Sequence, residues 1–124
     1  MNTYIPLLTA PMSPSPLTII LGPAAGQNGA SASVTGSDQA GQITLFTGLT
    51  PVANDCICTL NFAINSVASC YSIQLTPANN FAAYNISNVY CFGSSPTTFS
   101  LMNTGQPLLA SSPYVWFYHV VRLN

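Results

Sequence analysis

Four thiols carry the most obvious chemical potential in this chain: Cys56-Ile-Cys58, Cys70 and Cys91, the right number for a tetrahedral zinc site. Their spacing argues against one. On a strand, residues two apart are separated by roughly 6.5 Å. Two thiolates on one zinc lie within about 4 Å of each other, given Zn–S bonds of about 2.3 Å. Strand alternation sets Cys56 and Cys58 on one face with Leu60 and Phe62, leaving Ile57, Thr59 and Asn61 on the other. Cys70 falls opposite Tyr71, Ile73 and Leu75. Small thiols packed as hydrophobes fit this pattern best. A cross-strand disulfide is the next alternative, and a metal the last.

His119 is the single histidine, embedded in Phe117-Tyr-His-Val-Val121. A nucleophile–His–carboxylate triad would have to draw its carboxylate from Asp38 or Asp55, the only two in the chain. Both lie in turn-like sequence, where aspartate commonly satisfies local backbone donors. No Gly-x-Ser-x-Gly elbow is present, since Gly29-Ala-Ser-Ala-Ser33 ends in serine. Two carboxylates this far apart are a weak basis for calcium. Asn85-Ile-Ser87 fits the glycosylation sequon. The Gly22–Gly29 stretch lacks the lysine and the following helix of a phosphate loop. The expectation is a non-enzyme with no cofactor and no metal.

Charge sharpens that expectation. Of 124 residues only Asp38, Asp55 and Arg122 are formally charged, 2 % against about 25 % in an average domain. One arginine cannot neutralise a nucleic-acid backbone or form a basic membrane-binding surface. No apolar run reaches the roughly 18 to 20 residues of a spanning helix. Disorder pairs low hydrophobicity with high charge, whereas this chain is 48 % hydrophobic. Serine, threonine, asparagine, glutamine and glycine supply its polarity. Little net charge keeps such molecules apart, so life in an assembly is expected. Met1-Asn-Thr-Tyr4 has no basic segment ahead of an apolar one, which reads as no secretory signal, cytosolic synthesis and reduced thiols.

The elements that must position these residues read as strands. Residues 1–26 read as an extended arm. Ala10–Pro16 is proline-rich, Leu17–Leu21 is able to pair as one strand, and Gly22–Gly26 ends it. From residue 27 to 124, short strands alternate with turns: Ala32–Thr35, Gln42–Thr47, Cys56–Ile64, Cys70–Leu75, Asn85–Phe92, Thr97–Met102 and Tyr114–Arg122. Gly93-Ser-Ser-Pro96 reads as a hairpin turn. Ala78–Tyr84, the one possible helical stretch, is too short to shape the fold. The last strand is the most strongly β-coded, with Tyr114, Trp116 and Tyr118 on one face and Val115, Phe117, His119 and Val121 on the other. The spacing predicts an all-β chain, a single antiparallel β-sandwich or jelly roll of about seven or eight strands with an extended N-terminal arm.

The segment Gly29-Ala-Ser-Ala-Ser-Val-Thr-Gly-Ser-Asp-Gln-Ala-Gly-Gln-Ile-Thr-Leu-Phe-Thr-Gly48 resembles a pattern in small β-domains of tailed-phage structural proteins. There a Gly-Ala-Ser-Val-Ser strand precedes Gly-Thr-Asp-x-Ala-Gly and a threonine-rich strand. Leu75-Thr-Pro-Ala-Asn79 and Tyr114-Val-Trp-Phe-Tyr-His-Val-Val121 match it as well. The resemblance spans roughly residues 26–121 and includes neither a catalytic signature nor the cysteines. It implies a trimerising β-sandwich head, as in capsid decoration or cement proteins, head fibres or tail-fibre tips. With no long shaft, the chain looks like a compact capsid-decorating subunit.

The resemblance therefore implies a homotrimer on the capsid exterior, made in the host cytoplasm, whose partners are itself and the major capsid protein. Candidate contact residues are Tyr4, Ile5, Leu7, Leu8, Leu17, Ile19 and Ile20 of the arm, with Tyr114, Trp116 and Tyr118 of the last strand. The alternative is a fibre tip recognising host carbohydrate, with Asn79, Asn80 and Tyr84 as sugar contacts. Asp38, Asp55 and Arg122 are expected at turns or subunit contacts.

Overall fold

Short runs of β-branched and aromatic residues, closed by glycine, proline or asparagine, become strands in the computed structural model, which describes residues 17–62, 71–95 and 97–122. In chain order these are β1 (Thr18–Leu21), β2 (Ser31–Gly36), β3 (Ala40–Phe46), β4 (Cys56–Asn61), β5 (Tyr71–Pro77), β6 (Val89–Ser95), β7 (Thr98–Asn103) and β8 (Pro113–Arg122). A five-residue helix, α1 (Asn80–Tyr84), follows β5. Two four-stranded sheets form, a first in the order β1-β4-β7-β6 and a second in the order β2-β3-β8-β5. Each pairing is antiparallel. The expected all-β sandwich is the observed architecture.

The core lies between the sheets. The second contributes Ile43, Leu45, Tyr114, Trp116, Tyr118 and Val120; the first contributes Ile57, Cys58, Leu60, Phe99 and Leu101. Phe99 reaches across the layers to Tyr118 at 5.7 Å, and Tyr114 stacks on Trp116 within β8 at the same separation. Tyr114, Trp116 and Tyr118 are therefore interior, which corrects their assignment as contact residues. A strand in a two-layer sandwich turns one face inward, and the three largest side chains of β8 take that face.

The expected arm spans 1–26, and Tyr4, Ile5, Leu7 and Leu8 lie outside the described residues. The rest of it joins the sandwich. β1 pairs with β4 as an edge strand, Leu17 and Ile19 pack against the core, and Ala24 and Ala25 in a 3-10 turn are fully buried. Cys70 also lies outside the described residues.

Two further differences have local causes. A β-bulge between Cys56 and Cys58 shifts the register against β7. Ile57 is consequently buried beside Cys58 and Leu60, while the Cys56 sulfur lies 3.6 Å from the Thr59 hydroxyl on the outer face. The expected Cys56–Cys58 face is thus split. The short helix also matters. Asn79 caps α1 by accepting from the Ala82 N–H at 3.0 Å, and it ties that end to β8 by accepting from Val115 N–H and donating to the Pro113 carbonyl. Ala82 is fully buried, and Phe81 packs on Tyr114.

Candidate functional site

The chemistry-bearing residues of the sequence are dispersed. Cys58 and Cys91 both register with Leu101, on opposite sides of β7. That places them two strand spacings apart, about 9.6 Å, beyond the roughly 7 Å limit for a disulfide. Burial pushes the Cys91 thiol up to about 12 and raises Cys58 further. Both are held neutral and unreactive at ordinary pH. Among the described residues, no cluster of three His, Cys, Asp or Glu side chains is placed to hold a metal ion. No helix among them is long and apolar enough to cross a membrane.

His119 is exposed on the outer face of β8, in register with Ala40 and Gln74. Asp38 sits in the β2–β3 turn. Asp55 precedes β4 and accepts from the Cys56 N–H at 2.7 Å, the local capping role expected of it. Arg122 ends β8 in register with Tyr71. The sequon residue Asn85 is buried and accepts from the Tyr114 hydroxyl at 3.1 Å, so a folded chain offers no amide there for a glycan. Asn79 is occupied by its cap and strand bonds, which removes it from the sugar-contacting set. Asn80 and Tyr84 are exposed.

Neutral polar side chains that read as surface also secure the loops at one end of the sandwich. The buried Thr47 hydroxyl donates to the Leu109 carbonyl at 2.6 Å and accepts from Ser112 N–H at 2.8 Å. Buried Asn103 donates to the Gln106 carbonyl at 2.6 Å and accepts from Asn54 N–H at 3.2 Å. Gly48 N–H donates to the Ala25 carbonyl at 2.8 Å. A Cβ on Gly48 would collide with the Gly26 carbonyl oxygen.

Exposed large apolar side chains are spread over the loops and both sheets, Phe46 and Phe117 on the second among them, and those on the outer face of the first sheet follow two rows. One row crosses all four strands: Ile20, Thr59, Ser100 and Phe92, partnered in that order. A second row is Cys56, Met102 and Tyr90. Ile20 is 59 % exposed, Phe92 54 % and Tyr90 49 %. Between them stand the small Thr59 and Ser100, the latter buried, and in the second row the half-buried Met102. The Thr59 and Ser100 hydroxyls hydrogen-bond to each other at 2.8 Å, so they make little demand on a polar partner. The result is an uncharged face with exposed apolar side chains on its edge strands.

Of the expected contact residues that the structure describes, Ile20 is the one on this exposed surface. Tyr90 and Phe92 were missed, although aromatics alternating with Val89 and Cys91 signal two outward-facing rings. In comparisons with family models, curated proteins and solved structures, the chain matches none.

Proposed function

We propose that this chain is a non-enzymatic structural subunit of a virion, a cement protein that assembles as a homotrimer on the outer capsid surface and stabilises the shell. The observation that carries the reading is the outer face of the first sheet, uncharged across both rows, with Ile20, Phe92 and Tyr90 exposed on it. Contiguous apolar surface of this kind marks an interaction site. Covering neutral hydroxyls and apolar rings avoids the desolvation cost of buried charges. The motif resemblance to tailed-phage head domains and the sandwich architecture support the virion setting. They also support the three-fold assembly.

The test is the mass of the purified chain and its place on purified particles. A mass of three chains and a copy number matching the capsid three-folds are expected; a monomer absent from particles would overturn the reading. A second reading, a fibre tip binding host carbohydrate, is favoured by Tyr84, 78 % exposed on α1 beside exposed Asn80. Binding of the isolated chain to a glycan array, lost in Tyr84→Ala, together with only a few copies per particle, would replace the first reading with this one.

A further inference from the structure

We propose that Asn28 is a modification site: its side-chain amide closes onto the Gly29 nitrogen, loses ammonia and reopens with water as aspartate or isoaspartate. The reaction needs no partner and does not rest on the structural-subunit reading. Asn28-Gly29 is the single Asn-Gly step in the chain. Ring closure requires the following nitrogen to reach the side-chain carbonyl carbon, and glycine, having no Cβ, obstructs that approach least.

The fold presents this pair to water. Gln27, Asn28 and Gly29 are all exposed, in a turn closed by the Ala30 N–H donating to the Gln27 carbonyl at 2.9 Å. Gly29 sits at φ +86°, and no atom lies within 4 Å of the place its Cβ would take. Other asparagines are engaged or crowded. The Asn54 amide oxygen accepts from Gly105 N–H, Asn88 donates to the Thr104 carbonyl, and Asn103 donates to the Gln106 carbonyl. Asn85 is buried. Asn80 is exposed, but the bulky Phe81 follows it. Asn28 makes no comparable side-chain bond among the described residues.

In the first step the Gly29 nitrogen bonds to Asn28 Cγ, the Cγ–Nδ2 bond breaks, and ammonia leaves with the Gly29 proton. Water then adds to one of the two ring carbonyls. Cleavage between Cγ and nitrogen gives aspartate. Cleavage between the backbone carbonyl carbon and nitrogen gives isoaspartate, whose chain runs on through Cγ. Either product carries a carboxyl, ordinarily with a pKa of about 3.9 in aspartate, so one further negative charge takes the formal net charge at pH 7 from -1 to -2. Isoaspartate also lengthens the backbone of the turn by one carbon. The Asn28 peptide carbonyl, which accepts from Leu49 N–H at 3.1 Å, becomes a free carboxylate. That bond ties the turn to the β3–β4 connection, so isomerisation loosens this end of the sandwich.

The full chain, held in mildly alkaline buffer to favour loss of the Gly29 amide proton, is followed by isoelectric focusing and by peptide mass spectrometry with fragmentation that separates aspartate from isoaspartate. A more acidic species is expected, with oxygen in place of NH at residue 28 before any other asparagine, and with isoaspartate among its products. Asn28→Gln, whose longer side chain closes a ring less readily, should lose that species. The isolated isoaspartate form should unfold at a lower temperature than its parent, whereas Asn28→Asp, which carries the charge on an unaltered backbone, should unfold close to it. Absence of the acidic species, conversion first at another asparagine, or aspartate without isoaspartate would overturn the site. Equal thermal unfolding of the parent and isoaspartate forms would overturn the loosening of the loop end.

Discussion

Tyr114 and Trp116 stack in the same core, yet their polar atoms differ in fate. The Tyr114 hydroxyl accepts from Leu109 N–H at 2.9 Å and donates to Asn85. The Trp116 indole N–H is buried without a partner. Removing the Tyr114 hydroxyl strands the buried Asn85 amide oxygen, at about 1–3 kcal/mol for a buried group left unsatisfied, and frees the more exposed Leu109 N–H. Trp116→Phe loses apolar contact but also removes an unsatisfied donor, so the two effects oppose. Chemical denaturation should therefore show Tyr114→Phe to be the more destabilising, by about 1–3 kcal/mol against wild type. A Trp116→Phe loss exceeding it would show that the indole's packing outweighs its stranded N–H. The thiols follow the same logic of burial: Cys58 is in the core, Cys91 packs half-buried against it, and among the described cysteines Cys56, displaced by the bulge, joins the outer surface.

At the scale of elements, the loop end is set by close backbone approach. Gly26 has φ +97° at the end of its 3-10 turn, and the Gly26 and Asn28 carbonyl oxygens occupy the space that a Cβ on Gly48 would need. This contact joins the turn after β1 to the β3–β4 connection, while Thr47 and Ser112 join the latter to the β7–β8 connection. Gly48→Ala should lower stability by about 1–3 kcal/mol, the usual range for an overpacked site; unchanged thermal unfolding would show that the loops yield freely. Strand existence was legible from alternation and turn residues, as in β3 and β8. The bulge at Ile57 was not, because a register shift depends on the partner strand. The weight of α1 was hidden for a similar reason: Asn79 acquires its role from Pro113 and Val115, which are remote in sequence.

For the whole molecule, scarcity of charge sets how association responds to solution conditions. An interface without ion pairs has little to lose to screening, and the Debye length falls from about 30 Å at 0.01 M salt to about 3 Å at 1 M. The mass of the proposed assembly, measured by light scattering across that range, should stay constant, and sulfate should reinforce it by strengthening apolar burial. Dissociation at high salt would point to Asp38, Asp55 or Arg122 at the contact. The part of the candidate site visible in sequence was Ile20, an apolar residue in a short strand. Phe92 and Tyr90 became its neighbours only when β4 and β7 were laid between β1 and β6.

The sequence by itself determined the β-sandwich class, because period-two alternation and frequent turn residues are local properties of the chain. It also excluded a basic nucleic-acid surface, since charge is counted and not arranged. Tertiary structure alone decided which face of each strand is inside. Tyr114-x-Trp-x-Tyr118 and Tyr90-x-Phe92 are similar aromatic alternations, yet the first became core and the second surface. The difference lies in which side of each strand meets the other sheet, a consequence of long-range pairing that alternation within one strand does not specify.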